Sequence, residues 1–117
     1  MAYDEKLALR IRKALAKQAG ISELRMMGGL CFLLHGNMMC GVEKSNLVVR
    51  AGPERYKELL SQPHARPMDF TGRPLKGFLY VSPGGYQTAR QLQQWLNRAT
   101  EFASSLPKKT RKQGRKR

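Results

Sequence analysis

The stretch RMMGGLCFLLHGNMMCGV, residues 25–42, places two short apolar runs on either side of a polar turn and decides the fold class of this chain. Residues 25–34 and 38–42 are rich in apolar side chains, and the His-Gly-Asn sequence between them is typical of a tight turn. The pattern predicts a β-hairpin at the centre of an antiparallel sheet. The stretch also holds four methionines, two cysteines and a histidine, the soft donors that copper(I) or zinc prefers.

The register of this hairpin decides whether the cysteines can act together. A two-residue turn at Gly36 and Asn37 makes Cys31 and Cys40 diagonal neighbours on one face, with side chains about 7 to 8 Å apart, too far to share a metal ion without distortion. A one-residue slip puts them on opposite faces, and a four-residue loop puts them directly opposite each other. Only the last register permits a disulfide or a dithiol pair. Because Met and buried Cys are common core residues, we expect packing here, with no metal and no cofactor.

Outward from the hairpin, hydrophobic spacing predicts three helices and three further extended segments. Gly20 is placed to end the first helix, Pro53 to begin the second, and Thr88 with Gln91 to cap the third, which Pro107 ends. The paired glycines Gly28 and Gly29 are expected to allow a bulge or a close backbone approach. The predicted helices cover residues 3–19, 53–60 and 89–106, and the further extended segments cover residues 47–50, 68–70 and 75–81.

This order of elements predicts an α+β fold. One antiparallel sheet of five strands should be covered by helices on one face, in the order α-β-β-β-α-β-β-α. The length of 117 residues fits one domain, which we place at residues 1–107. Residues 108–117 are too charged and too poor in apolar side chains to order alone and are predicted to form a disordered tail.

The net charge of +14 is the unusual number in the composition. The last ten residues carry seven basic side chains and no acid, which favours sequence-independent attraction to nucleic acid. A solubilising extension is the alternative. No apolar stretch resembles a signal peptide or a membrane span, so we expect a cytoplasmic protein with reduced cysteines and no membrane partner.

Two further sets of polar residues were candidates for a site. One set is Arg66, Arg73 and Lys76, in a segment that Pro67 and Pro74 stiffen. These side chains could form an anion-binding rim, or the segment could be a solvated, rigid connection. His35 and His64 have no nucleophile or carboxylate at a spacing typical of catalysis, although His64 and Asp69 could meet in space. We therefore predict no catalytic residue, no small-molecule substrate and no enzymatic activity.

Three segments together resemble the N-terminal domain of the TfoX/Sxy family of competence regulators. They are residues 25–42, the sequence VVRAGPERYKELL and the sequence PHARPMDFTGRPLKGFLYV, in this order, and the resemblance covers nearly all of residues 1–107. It implies a two-layer, secretion-chaperone-like fold, many examples of which dimerise. Longer relatives regulate DNA-uptake genes and carry a second, helical domain to which nothing in these 117 residues corresponds, so the regulatory role is expected to transfer poorly.

Together these observations predict a non-enzymatic regulatory or accessory module that associates with nucleic acid or with a nucleic-acid-bound partner. The alternative is a homodimeric, protein-binding module that uses an apolar sheet face or edge. The predicted anion or nucleic-acid contacts are Arg25, Arg66, Arg73, Lys76, Lys108, Lys109, Arg111, Lys112, Arg115, Lys116 and Arg117.

Overall fold

The computed structural model describes residues 3–26, 28–68 and 77–107. Its helices are α1 (Glu5–Ala14), α2 (Pro53–Leu60), a short 3₁₀ helix (Pro83–Gly85) and α3 (Ala89–Ser104). Its strands are β1 (Ile21–Met26), β2 (Gly29–Leu34), β3 (Asn37–Glu43), β4 (Asn46–Arg50), β5 (Ala65–Pro67) and β6 (Phe78–Val81). All pairings are antiparallel and the strand order is β1-β2-β3-β4-β6-β5. The predicted α+β class with an antiparallel sheet is confirmed.

The sheet has six strands, and the expectation of five needs correction. The apolar run at residues 25–34 is two strands, since β1 ends at Met26 and β2 begins at Gly29 in the next antiparallel position. Gly28 has a φ of 79°, a conformation that glycine adopts readily and that suits a tight reversal. Gly29 makes the close backbone approach that was expected, because a Cβ there would lie 2.5 Å from the carbonyl oxygen of Val42.

The sixth and fifth strands lie close to their predicted places. The short segment expected at residues 68–70 is found at β5, three residues earlier, and Met68 continues it by donating its N–H to the carbonyl of Phe78 at 3.4 Å. The segment expected at residues 75–81 is β6 from Phe78 onward. The remainder of both segments, residues 69–70 and 75–76, lies outside the described residues.

Local capping explains where the helices begin. The Asp4 carboxylate accepts hydrogen bonds from the amides of Lys6 and Leu7 and so caps α1. Gly52, at a φ of 87°, precedes Pro53 at the start of α2, and Thr88 forms the predicted capping box with Gln91. The first helix is shorter than predicted and Gly20 does not end it, because α1 ends at Ala14 with Leu15 as its C-cap. Gly20, at a φ of 84°, lies in the connection directly before β1.

One hydrophobic core lies between the sheet and the helices. Helices α1, α2 and α3 contribute Leu7, Leu59 and Leu96, each at most 1% exposed. Alternate residues of β2, β4 and β6 meet them from the sheet. The sheet residues of this core are Leu30, Phe32, Leu34, Met39, Cys40, Val42, Leu47, Val49, Leu79 and Val81.

Candidate functional site

The cysteine-containing hairpin does not form a thiol pair. Leu34 pairs with Asn37, so the turn residues are His35 and Gly36, both with positive φ, one position earlier than in the Gly36–Asn37 turn that the sequence left open. The register then shifts by one residue between Phe32 and Leu33. As a result Cys40 pairs with Phe32 and Cys31 pairs with Gly41, so the two cysteines are not opposite each other.

This β-bulge places the two cysteines on opposite faces of the sheet. Cys40 points into the core and is completely buried, whereas Cys31 lies on the face away from the helices. Burial raises the pKa of both thiols, most strongly for Cys40, so neither is poised as a thiolate. Of the three arrangements open from the sequence, the structure has the one in which the cysteines lie on opposite faces. Among the described residues, no group of three or more His, Cys, Asp or Glu side chains could hold a metal ion.

Both histidines pack against glycine backbone. The His35 ring covers Gly20, whose added Cβ would lie 2.3 Å from it, and the His35 amide donates to the Gly20 carbonyl at 2.8 Å. The His64 ring lies against Gly84 in the same way. Asp69, the carboxylate that was considered for His64, lies outside the described residues. These contacts give both histidines a structural role in joining loops.

Arg66 is the part of the predicted anion-binding rim that the structure describes. It lies on edge strand β5, exposed, with its guanidinium 4.9 Å from the centre of the Tyr80 ring. Its NH2 group also donates to the Asn46 side-chain oxygen at 3.0 Å. Stacking and one hydrogen bond hold the side chain in place and leave other guanidinium donors without a carboxylate among the described residues. Arg73 and Lys76 lie outside those residues.

Arg25 does not lie beside Arg66. It is exposed on β1, at the opposite edge of the six-stranded sheet. Five interstrand spacings of about 4.8 Å separate the two edges, or roughly 24 Å. Both arginines were predicted to contact anions or nucleic acid, but the strand order keeps them on opposite edges of the sheet.

Arg50, the last residue of β4, is held by contacts with three neighbouring elements. Its guanidinium lies 5.4 Å from the Phe78 ring centre and 5.2 Å from that of Phe102, and it donates to the Met38 carbonyl at 3.3 Å. These contacts connect the end of β4 to β3, β6 and α3. Packing on two rings fits a structural cation better than a contact for a ligand.

A basic stripe on α1 was missed as a candidate contact. Lys6, Arg10 and Lys13 follow one another at i, i+4 and i+7, which places them on one helix face over about 10 Å. Lys6 and Lys13 are exposed, and Arg10 is anchored by a hydrogen bond to the Gln87 carbonyl at 3.2 Å. The spacing was readable in the sequence, but the same pattern marks the solvated face of any surface helix.

The predicted tail begins at a fixed point. The Asn37 side-chain amide, in a residue only 3% exposed, donates to the Pro107 carbonyl at 2.9 Å. The end of the α3 segment is therefore tied to the first residue of β3. The seven basic residues of the predicted tail, Lys108, Lys109, Arg111, Lys112, Arg115, Lys116 and Arg117, follow from this point and lie outside the described residues.

A cavity of about 330 Å³ lies between the start of α2 and the second half of α3. Arg55 spans it, bonding to Glu101 at 3.0 Å and to Glu58 at 3.6 Å. Arg98 also lines it, with its guanidinium 5.1 Å from the Trp95 ring. Because Arg55 is already paired with two carboxylates, this cavity offers a locally balanced surface and no concentrated charge.

These features define a small two-layer α+β domain with a closed core and a basic exterior. Residues 3–103 match the TfoX N-terminal domain family, and the chain belongs to that family. Comparison with the curated proteins and with the solved structures found no match. No helix among the described residues has both the length and the apolar character needed to cross a membrane.

Proposed function

We propose that this chain is a non-enzymatic regulatory or accessory module that associates with nucleic acid, or with a partner bound to nucleic acid. The proposal combines membership of the TfoX N-terminal domain family, which the resemblance noted in the sequence relates to competence regulators, with the charge of the chain. The contacts would be electrostatic and directed to phosphates, because Lys and Arg neutralise phosphates without reading base sequence.

The observation that carries the proposal is the excess of basic side chains without acidic partners. Thirteen of the 22 Lys and Arg lie in the described residues, together with seven acids. Among these, only Arg12 and Arg55 form ion pairs with described carboxylates. Lys6, Lys13 and Arg66 are exposed and remain available to phosphates.

The proposed contacts come from three separate places, because α1 covers one face of the sheet and Arg66, which pairs with Tyr80, lies on the other. The α1 stripe and Arg66 are held on regular elements, whereas the basic run after Pro107 supplies seven further charges. That run contains no aromatic residue to stack on bases. The proposed binding is therefore independent of base sequence and sensitive to salt.

The test is binding to a labelled DNA duplex of arbitrary sequence, measured by fluorescence anisotropy across a salt series. The full chain should bind with a logarithmic salt slope of about 0.9 per phosphate contacted. A chain ending at Pro107 should bind more weakly and with a shallower slope. In the full chain, the double variant Lys6→Gln/Lys13→Gln should reduce the salt slope by an amount that corresponds to about one to two phosphate contacts.

The matched control is Lys57→Gln/Arg90→Gln, which removes the same charge from two exposed basic residues on α2 and α3. It should leave the slope closer to that of the unaltered chain. Equal effects of the two double variants would assign binding to net charge alone and remove α1 from the surface. Negligible binding at low salt by both the full and the shortened chain would overturn the nucleic-acid proposal.

A second candidate function, a homodimeric protein-binding module, is favoured by one observation. Strand β1 is an open sheet edge with exposed Leu24, which a strand of a second copy could cover.

A further inference from the structure

The two edges of the sheet differ in how open they are to another strand. Edge strand β5 has three residues and includes Pro67, which lacks an amide hydrogen. Edge strand β1 has six residues, no proline and no lysine, and nothing in the described part of the chain pairs with its outer side. Edges of natural sheets are usually short, interrupted or covered, so β1 is the edge that can accept a partner strand.

The hydrogen bond between Gly20 and His35 shows which backbone groups of β1 point outward. The His35 amide donates to the Gly20 carbonyl, and this pair continues the β1–β2 register without a shift. Residues two and four positions after Gly20, Ser22 and Leu24, therefore also bond to β2, because bonded pairs alternate in an antiparallel ladder. The N–H and C=O groups of Glu23 and Arg25 point to the open side.

We propose that β1 pairs antiparallel with β1 of a second copy of this chain, with the two Leu24 residues meeting at the twofold axis. Two outward-pointing residues must face each other for hydrogen bonds to form, so only every second register is allowed. With Leu24 on the axis, Glu23 faces the second copy's Arg25, and Arg25 faces its Glu23. The neighbouring allowed registers place Glu23 against Glu23 or Arg25 against Arg25, which like-charge repulsion disfavours.

The side chains fit this arrangement on both faces. Leu24 is 49% exposed and lies on the face away from the helices, opposite Cys31. At a non-hydrogen-bonded position its backbone approaches that of the second copy most closely, so the two leucines cover each other. On the helix side, Arg12 already holds Glu23 through bonds of 2.7 and 2.9 Å, which keeps this carboxylate charged.

The interface does not require α1 to move. Helix α1 packs over β3 and reaches β1 through the Arg12 side chain, which leaves the outer side of β1 accessible. Two copies each carrying a charge of +14 repel one another at low ionic strength. Association should therefore strengthen as salt rises from low to moderate concentration, the opposite of the salt dependence proposed for duplex binding.

The test is sedimentation velocity of the full chain over a series of protein concentrations. The unaltered chain should shift from monomer to dimer, and Leu24→Lys and Arg25→Glu should each abolish the shift. Leu9→Lys makes the same change at the other large hydrophobic residue that is exposed in the described part of the chain, and Arg90→Glu reverses a charge on α3. Both controls should leave dimerisation as in the unaltered chain.

A mixing experiment separates strand pairing from a general loss of association. In a dimer of the Arg25→Glu variant alone, Glu23 of each copy would face an acidic side chain at position 25 of the other. In a dimer of the Glu23→Arg variant alone, Arg25 of each copy would face a basic side chain at position 23 of the other. In an equimolar mixture every cross-strand pair joins opposite charges, so the mixture should dimerise although each variant alone does not. Circular dichroism of each variant checks that it is folded.

Residue-resolved hydrogen exchange tests the backbone register directly. Protection of the Glu23 and Arg25 amides should rise with protein concentration, while that of Leu24, already bonded to β2, should change little. The proposal is overturned if the unaltered chain stays monomeric throughout, if the mixture fails to associate, or if Glu23 and Arg25 gain no protection. Duplex binding by the same variants is a separate readout of the proposed function.

Discussion

The buried amide of Asn37 donates to the carbonyl oxygen of Pro107 at 2.9 Å, which joins the first residue of β3 to the end of the α3 segment across 70 positions of sequence. No other buried polar or charged side chain accompanies it in the described core. The bond satisfies a donor that water cannot reach and fixes the point at which the basic C-terminal run begins.

Asn37→Ala should lower the free energy of unfolding by about 1 to 3 kcal/mol, because it removes this bond and leaves a carbonyl poorly satisfied. Urea denaturation followed by circular dichroism measures the change. Asn97→Ala, at an exposed position of α3, should stay within about 0.5 kcal/mol of the unaltered chain. Similar losses of unfolding free energy for the two variants would show that the buried bond contributes no more to stability than an exposed side chain does.

Replacement of Arg50 by lysine should destabilise the fold although the charge is kept. Lysine cannot stack a planar group between Phe78 and Phe102 while it donates to the Met38 carbonyl, so we expect a loss of about 1 kcal/mol. Thermal denaturation measures it, with Arg90→Lys on exposed α3 as the control. An unchanged melting temperature together with weakened duplex binding would instead make Arg50 a ligand contact.

The cysteines should remain unpaired under mild oxidation. Cys31 and Cys40 lie on opposite faces of the sheet, so an intramolecular disulfide cannot form without unfolding. In the native protein a thiol reagent should modify Cys31 slowly and Cys40 more slowly still, and both should react rapidly in denaturant. Mass spectrometry of the products distinguishes these states, and recovery of a native Cys31–Cys40 disulfide would contradict the observed register.

Burial of Cys40 also predicts a pH dependence of stability. Its pKa is raised in the folded state, so its contribution is fully present below the unfolded value near 8.5 and is lost as the pH rises toward the folded value. The unaltered chain should therefore lose stability above about pH 8.5 relative to Cys40→Ala. Parallel denaturation curves from neutral to alkaline pH test this, and a constant difference between the two would refute it.

The ion pair between Arg12 and Glu23 should contribute in the opposite pH range. Hydrogen bonding to Arg12 lowers the pKa of Glu23, so its contribution is present above the ordinary value near 4.3 and is lost as the pH falls through the folded value. The two side chains are 45% and 35% exposed, which limits the contribution to about 1 kcal/mol. Glu23→Gln, compared with Glu54→Gln at low protein concentration, should remove this part of the acid dependence.

Local sequence was sufficient to predict much of the fold. The proline after Gly52 and the Thr88–Gln91 capping box placed the starts of two helices, because these signals act within one helical turn. The antiparallel arrangement followed from short apolar runs separated by turns. The division of one run at Gly28 was missed, because a continuous apolar pattern does not show where a strand reverses.

The candidate site was less predictable, since it depends on which elements become neighbours. Both the extra strand at residues 21–26 and the bulge beside Phe32 changed which side chains share a face. Arg25 and Arg66 were grouped by their charge, yet the strand order puts them on opposite edges. The stripe of Lys6, Arg10 and Lys13 was visible in the spacing, but the same spacing occurs on the solvated face of any surface helix.

The sequence by itself determined the family, the α+β class, the helix starts and the strong positive charge, because composition and short-range patterns encode these properties. Only the tertiary structure decided that Cys31 and Cys40 face opposite layers, that Arg50 is packed between two rings and that β1 forms an open edge. The physical reason is that strand register and strand order depend on contacts between distant segments. A single bulge, set by the packing of the whole sheet, moves a side chain from one face to the other.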